Sequence, residues 1–269
     1  MSAESARPEV AVLFTDGTNC DRETAQAFEL AGAAAERVHV SELEAGSRDL
    51  ANYEALAIPG GFSYGDDVAS GKVLAVELET QLGEQLRAFT EQDEKPILGI
   101  CNGFQVLVKS GLLPEGNLGA EQRVTLTDND SNRFECRWVD LRTDPENRCV
   151  FLNELPERLR LQVAHGEGKL VVPSAELREL EENRQIVFQY VDDAGTPTER
   201  YPANPNGSVK GITGITDKTG RILGMMPHPE RSVRADQNPN HRLHRVRREP
   251  VPTDGLPLFE QMVDYVRQA

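Results

Sequence analysis

The sequence contains the stretch Pro96-Ile-Leu-Gly-Ile-Cys-Asn-Gly-Phe-Gln-Val-Leu-Val-Lys109. Residues 96–100 form a short, continuous apolar run, which predicts a strand that is buried on both faces. Residues 102–109 predict a helix, which Ser110-Gly111 ends. Cys101 alone lies between the two segments, with glycines at 99 and 103. The stretch therefore predicts a buried strand that passes through a sharp turn into a helix.

The rest of the first half repeats this alternation of strands and helices. Apolar runs predict strands at residues 10–14, 38–40 and 55–58, and helical spacing of apolar residues predicts helices at 21–31 and 74–91. Strands that alternate with helices imply parallel βαβ units. We therefore expect an α/β fold, an open and mostly parallel sheet with helices on both faces.

The second half has a different texture. From about residue 133 we predict β-rich segments, which lie at 133–141, 159–164, 169–172, 185–191, 209–215 and 221–226, before a last helix at 258–267. No linker rich in Pro, Gly or Ser separates the halves, so we expect one domain over residues 1–269. Within it we expect residues 1–8 to be flexible and residues 231–256 to form an extended basic loop.

Composition and charge exclude several functions. The 269 residues include 29 Lys and Arg and 44 Asp and Glu, a formal net charge of −15. Such a chain repels phosphate backbones and anionic lipid, which argues against nucleic acid or a membrane as a partner. There is no apolar run of about 18 residues for a membrane-spanning helix, and residues 1–9 lack the apolar core of a signal peptide. We therefore expect a cytoplasmic protein.

Cys101 is the candidate nucleophile. A strand-to-helix turn exposes its central side chain at the carboxyl end of the sheet, as in the G-x-S-x-G nucleophile elbow. The positive end of the following helix favours a thiolate, and the Asn102 N–H would face an oxyanion formed beside the sulfur. The four cysteines include no C-x-x-C pair, so we expect no metal site.

A cysteine nucleophile needs a base and a group that orients the base. Of the five histidines, His228 follows a predicted buried strand and precedes Pro229. Proline biases the residue before it toward an extended conformation, which places side chains 228 and 230 on the same side of the chain. Glu230 would then hold the His228 ring. The residues thus predict a Cys101, His228 and Glu230 triad.

Glycine-rich stretches supply a further candidate and exclude another. Gly60 and Gly61 follow the strand at 55–58, where they could present a second oxyanion N–H group. Residues 65–73 do not form a phosphate-binding loop, because five residues precede Gly71-Lys72 and Val73 replaces the required Ser or Thr. We therefore expect no ATP site and no cofactor in this chain.

A set of motifs points to a known family. They are, in order, Pro59-Gly-Gly-Phe-Ser-Tyr-Gly-Asp66, Gly99-Ile-Cys-Asn-Gly-Phe-Gln105, His165-Gly-Glu-Gly168, Asn204-Pro-Asn-Gly-Ser208 and Met226-Pro-His-Pro-Glu-Arg231. Together they resemble class I glutamine amidotransferases, whose fold is flavodoxin-like. More narrowly, they resemble the glutaminase subunits of phosphoribosylformylglycinamidine synthase.

This resemblance implies a role for each matching residue. Cys101 would attack the side-chain amide of glutamine to give a glutamyl thioester and ammonia, with His228 as base and acid and Glu230 as its orienting group. The remaining positions that the resemblance places at the oxyanion or the substrate are Gly60, Gly61, Phe62, Asn102, Gln105, His165 and Gly166.

The resemblance also implies partners. Ammonia would pass to a large synthetase subunit of the PurL type, which uses ATP and Mg to aminate formylglycinamide ribonucleotide in purine biosynthesis. A small third subunit of the PurS type would join them.

Other interpretations of the residues stay open. The chain could be an amidotransferase subunit for a different acceptor. It could be a cysteine hydrolase on a similar sheet, although in that class a histidine directly follows the cysteine, and here Asn102 does. It could also be a scaffold module that retains the fold without catalysis.

Overall fold

The predicted apolar runs form strands in the computed structural model, which describes residues 7–268. The strands are, in chain order, β1 (Glu9–Phe14), β2 (Ala34–His39), β3 (Ala55–Ile58), β4 (Ile97–Ile100), β5 (Thr125–Asp128), β6 (Glu135–Thr143), β7 (Arg158–His165), β8 (Glu167–Val171), β9 (Ile186–Tyr190), β10 (Ile212–Thr216) and β11 (Ile222–Met225). The run at 97–100 and the strand at 55–58 are entirely buried, as their sequences predict.

The helices connect these strands. They are α1 (Asp21–Leu30), α2 (Val40–Glu44), α3 (Lys72–Thr80), α4 (Gly83–Arg87), α5 (Asn102–Lys109), α6 (Leu112–Glu115), α7 (Ser174–Glu182), α8 (His241–Arg247) and α9 (Leu256–Gln268). Within the described residues, no helix is both long enough and apolar enough to cross a membrane.

One large sheet runs through both halves of the chain. Its strand order is β2-β1-β3-β4-β11-β10-β9-β6-β7, while β5 and β8 form a separate ribbon. In this order, the strands β2, β1, β3, β4 and β11 run parallel to one another. The strands β10, β9, β6 and β7 each run antiparallel to the strand before them in the sheet. The sheet is open and its parallel part carries the βαβ units, so the predicted α/β class is confirmed.

Helices cover both faces of the parallel part. The chain crosses from β1 to β2 in one direction and from β3 to β4 in the other, and because such crossovers are right-handed, α1 and α3 lie on opposite faces. Helix α9 packs against α1, where the rings of Phe28 and Phe259 meet edge to face with centroids 4.9 Å apart. Helix α5 packs against α3 on the other face. The buried β4 strand and its cysteine turn are therefore enclosed.

The predicted helix at 74–91 is not one continuous helix, so that prediction is wrong in this respect. Helix α3 ends at Thr80, and α4 begins at Gly83 and continues as a π-helical turn, Ala88–Gln92. Leu82 leaves the helical conformation, with φ −108° and ψ 9°, and glycine is a weak helix former. The apolar face is buried all the same, because Leu78, Leu82, Leu86 and Phe89 are at most 1% exposed.

The basic segment 231–256 is not an extended loop throughout, so that prediction is wrong in part. Residues 241–247 form α8, none of whose residues is buried, and 3-10 turns occupy Pro229–Ser232 and Ala235–Gln237. Charge patterning alone does not distinguish a solvated helix from a solvated loop.

Helix α7 was not predicted either, because Leu180 is the only residue that it buries.

The predicted flexible segment, residues 1–8, lies mostly outside the described residues. Pro8 is buried, and its carbonyl oxygen accepts a hydrogen bond of 2.8 Å from the Ala34 N–H.

Candidate active site

Four residues of the site follow neighbouring parallel strands, at their carboxyl ends. Cys20, Gly60 and Cys101 follow β1, β3 and β4, and His228 follows β11. Strand β1 lies between β2 and β3, so the chain reverses its direction of strand addition there. In open α/β sheets this reversal creates a crevice at the carboxyl edge. The topology therefore explains why residues far apart in sequence meet.

The strand-to-helix turn at Cys101 is the strained elbow that the sequence predicts. Cys101 has φ 52° and ψ −104°, which side-chain-bearing residues rarely adopt. A Cβ on Gly103 would lie 1.8 Å from the Ile58 carbonyl oxygen, and one on Gly99 would lie 2.8 Å from the carbonyl oxygen of Gly103. Glycines at 99 and 103 thus let β3, β4 and α5 approach closely enough to hold the turn.

The Cys101 side chain is largely buried. The residue is 6% exposed, and its Sγ lies 3.7 Å from the carbonyl oxygen of Ala164, at the end of β7. Asn102 is the first residue of α5, and its side chain is also fixed. Its Oδ1 accepts a hydrogen bond of 2.7 Å from the Ser63 hydroxyl, and its Nδ2 donates to Asp66 Oδ1 at 3.2 Å. The Asn102 side chain therefore ties the elbow to the loop after β3.

His228 and Glu230 form a buried pair. Nδ1 of His228 lies 2.6 Å from Oε1 of Glu230, and each residue is 1% exposed. Burial alone would lower the pKa of His228, but the charges of Glu230 and Cys101 raise it well above its usual value. His228 is extended, with φ −101° and ψ 90°, as its place before proline predicts. Glu230 lies in the 3-10 turn that follows, and from there its carboxylate contacts the His228 ring.

Gly60 lies where the nucleophile and the base meet. A Cβ on Gly60 would lie 2.7 Å from Cε1 of His228 and 3.4 Å from Cβ of Cys101. Nε2 of His228 is buried and has no hydrogen-bond partner within residues 7–268. The structure therefore brings Cys101, His228 and Glu230 together around Gly60.

Gly61 and Phe62, in the loop after β3, have different surroundings. Gly61 has φ +146°, and a Cβ there would lie 2.7 Å from the Asn19 nitrogen, so only glycine fits. The Phe62 N–H donates to the Gly17 carbonyl oxygen at 2.9 Å. The Phe62 side chain is 45% exposed, and its ring centroid lies 6.4 Å from that of Phe134. Phe62 therefore has a partly exposed ring and no free N–H group.

Gln105 is buried, and both ends of its side chain are engaged within the protein. Its Nε2 donates to the Glu167 carbonyl oxygen at 2.5 Å, and its Oε1 accepts from Asn102 Nδ2 at 3.1 Å. These bonds join α5 to the start of β8. The predicted contact of Gln105 with glutamine remains a prediction.

His165 and Gly166 lie beside the site, at the end of β7. His165 is 3% exposed, and its Nδ1 lies 3.1 Å from Asn129 Oδ1. The Gly166 carbonyl oxygen accepts a hydrogen bond of 2.9 Å from the Asn129 N–H. Asn129 was not predicted from the sequence, because nothing local marks a single asparagine before the β-rich segments as a partner of this turn.

Cys20 and Arg231 are further residues of the site that the sequence analysis missed. Cys20 Sγ lies 4.0 Å from His228 Nδ1 and 3.2 Å from a guanidinium nitrogen of Arg231. Cys20 lies in the connection between β1 and α1, immediately before the helix, and no local pattern marks it as a neighbour of His228. Cys20, His228 and Glu230 each offer one atom that could bind a metal ion, and these atoms lie within 4.8 Å of one another. The adjacent Arg231 cation disfavours a metal ion there.

Comparisons with known proteins identify the family of the chain. Residues 7–266 match the family model for CobB/CobQ-like glutamine amidotransferase domains. The chain is 47% identical over 257 residues to the phosphoribosylformylglycinamidine synthase subunit PurQ of Dehalococcoides mccartyi, an alignment that covers 96% of this chain and 97% of that one. It is 39% identical over 259 residues to the PurQ subunit of Pyrococcus horikoshii, with 96% and 98% covered.

A solved structure gives the same result. The match is a chain in the structure of PurLQS from Thermotoga maritima, with a TM-score of 0.72 and 29% identity, covering 96% of this chain and 99% of that one. The chain therefore belongs to the glutamine amidotransferase family and, within it, to the PurQ subunits of phosphoribosylformylglycinamidine synthase.

Proposed function

We propose that this chain hydrolyses glutamine to glutamate and ammonia through a thioester on Cys101. The observation that carries the proposal is the convergence of the Cys101 elbow with the buried pair of His228 and Glu230 around Gly60. A nucleophile on a strained turn, a base beside it and a carboxylate behind the base are the three parts that covalent acyl transfer needs.

The reaction proceeds in two steps. In the first, the proton of the Cys101 thiol passes to His228 and the sulfur attacks Cδ of glutamine. The C–S bond forms, the C–N bond breaks, and His228 returns the proton to the departing nitrogen, which leaves as ammonia. In the second, His228 takes a proton from water, the C–O bond forms, and the C–S bond breaks as His228 returns the proton to the Cys101 sulfur, which releases glutamate and restores the thiol. Glu230 remains ionised and stabilises the charged ring of His228.

Backbone N–H groups would stabilise the oxyanion in both steps. Asn102 supplies one from the first position of α5, where a helix leaves its N–H groups without internal partners. Gly61 supplies the other from the loop after β3, whose conformation only glycine permits. The hydrogen bonds between Asn102 and Ser63 hold these two segments together.

The ammonia passes to a synthetase of the PurL type, with a PurS-type subunit in the complex. ATP and Mg act on that synthetase, which converts formylglycinamide ribonucleotide to formylglycinamidine ribonucleotide in the cytoplasm. The relatives are named as subunits of this synthase, and the matching solved structure is described as PurLQS. Assignment of ATP and Mg to the partner rests on the incomplete phosphate loop at residues 65–73.

Glutamate release tests the proposal directly. We expect the purified chain to release glutamate from glutamine much faster when its synthetase, ATP and formylglycinamide ribonucleotide are present. Cys101→Ala should abolish the release, whereas Cys149→Ala, which alters a buried cysteine of the core, should retain it. Activity that does not respond to the synthetase would indicate a different acceptor, and activity that survives Cys101→Ala would refute the mechanism.

A further inference from the structure

The side chain of Asn129 fixes the tautomer of His165. Asn129 Nδ2 donates to the carbonyl oxygens of Arg133 and His165, at 2.9 and 2.8 Å. The amide oxygen must then face the other way, where it accepts from the Gly168 N–H at 3.1 Å and lies 3.1 Å from His165 Nδ1. An amide oxygen only accepts hydrogen bonds, so Nδ1 of His165 carries the ring proton.

The other ring nitrogen, Nε2, is consequently a pure acceptor. It is buried and has no hydrogen-bond partner in the part of the chain that the structure describes. Burial and then the charge of His228 lower the pKa of His165 to about 3, so the ring is neutral at neutral pH. A buried acceptor without a partner is unfavourable for folding. A ligand that donates a hydrogen bond to Nε2 would remove this unfavourable free energy.

The surroundings of His165 indicate which donor this is. His165 ends β7, and the carbonyl oxygen of its neighbour Ala164 lies 3.7 Å from Cys101 Sγ. Farther along β7, the carbonyl oxygen of Gln162 accepts a hydrogen bond of 2.7 Å from the His228 N–H. The end of β7 therefore contacts both the nucleophile and the segment that carries the base. Under the proposed function, the side-chain amide of glutamine reacts in this same space.

We propose that Nε2 of His165 accepts a hydrogen bond from the side-chain amide nitrogen of glutamine and selects substrates whose leaving group bears an N–H. This inference rests on the proposed glutaminase function. The hydrogen bond holds the nitrogen with its lone pair free to accept the proton from His228. Because the departing nitrogen keeps at least two N–H bonds, it donates to His165 until it leaves as ammonia. His165 gains no proton in the cycle.

The proposal makes a specific distinction between substrates. The γ-methyl ester of glutamate has the same acyl group and the same α-amino and α-carboxylate groups as glutamine, but its leaving oxygen carries no hydrogen. An acceptor that contacts the leaving group therefore affects glutamine and not the ester. An acceptor that contacts the α-ammonium group, or a side chain that only supports the fold, affects both substrates equally.

The test compares both substrates in the complex of this chain with its synthetase. We expect His165→Leu to lower kcat/KM for glutamine by about 10- to 100-fold, and to change kcat/KM for the γ-methyl ester by less than about threefold. The matched control is His39→Leu, which removes a histidine at the end of β2 and should leave both values unchanged. His165→Gln, which restores an amide acceptor, should recover part of the glutamine activity.

A spectroscopic measurement keeps the proposal testable if His165→Leu does not fold. In the Cys101→Ala protein, which retains His165, glutamine should shift the ¹⁵N resonance of His165 Nε2 in the direction expected for an acceptor that gains a hydrogen bond. The γ-methyl ester should not shift it. An equal response to both compounds, or equal loss of both activities in His165→Leu, would overturn the inference and leave the glutaminase intact. Failure of the wild-type complex to release glutamate from either substrate would overturn the proposed function itself.

Discussion

Nδ1 of His228 lies 2.6 Å from Oε1 of Glu230, in a pair that is shielded from solvent on all sides. This contact determines which nitrogen of the ring is available for catalysis. With Nδ1 held by the carboxylate, Nε2 is free to exchange a proton with the Cys101 thiol and with the leaving nitrogen. The charge of Glu230 also raises the pKa of His228, so the pair favours the charged ring that forms during the reaction.

Replacing Glu230 tests this coupling. Glu230→Gln keeps the shape of the side chain but removes its charge, so the pKa of His228 should fall, and kcat for glutamate release should fall by about 10²- to 10⁴-fold. An NMR titration of His228 and a steady-state assay measure the two effects. Glu84→Gln, at an exposed position of α4, is the control. An unchanged His228 titration would contradict the assignment of Glu230.

We predict that a side chain at position 60 lowers catalytic activity more than it lowers stability. In Gly60→Ala the new methyl group would press against Cε1 of His228, 2.7 Å away, and displace the base. We expect glutamate release to fall by about 100-fold or more. Gly46→Ala is the control, because Gly46 has φ +68° but no atom within 4 Å of the added methyl. It should lower stability by about 1 kcal/mol and leave activity unchanged. Full activity in Gly60→Ala would contradict the geometry.

The backbone of Cys101 should store strain that glycine releases. Its φ of 52° with ψ of −104° disfavours any side chain. Cys101→Gly should therefore be more stable than Cys101→Ala, by about 1–2 kcal/mol in urea unfolding. Cys149 is buried without a positive φ, so there the order should reverse and Cys149→Gly should be the less stable variant. The same order at both positions would show that the elbow is not strained.

His165 should make stability depend on pH. Its pKa is about 3 in the folded chain and about 6.5 when unfolded, so between these values the unfolded chain binds more protons. Its contribution is therefore complete above pH 6.5 and is lost as the pH falls toward 3, by about 2 kcal/mol at pH 5. His165→Leu should lose correspondingly less stability between pH 7 and pH 5. Urea unfolding at both values measures this difference, and identical slopes would contradict a neutral, buried His165.

Much of the first half could be predicted from the sequence because its signals are local. The apolar run before Cys101 and its flanking glycines specify a buried strand and a tight turn without reference to distant residues. Helix α5 accordingly begins and ends where predicted, at Asn102 and Lys109. The break at Leu82 was missed because the apolar spacing continues through it while the backbone does not.

The triad could be predicted because each member sits next to a strand end or a proline. Cys20 and Asn129 could not, because their roles depend on contacts across the fold. Cys20 meets His228 only through the order of β1, β3, β4 and β11 in the sheet. Asn129 meets His165 only because β7 and β8 turn back beside it.

Labelling with a glutamine-analogue electrophile tests the central claim most directly, since Cys20 and Cys101 both lie beside His228. Peptide mass spectrometry on the chain in complex with its synthetase would locate the modified cysteine. We predict stoichiometric labelling at Cys101 alone, prevented by glutamine and absent in Cys101→Ala. Labelling at Cys20, or labelling of Cys101 that glutamine does not prevent, would contradict a glutamyl thioester on Cys101.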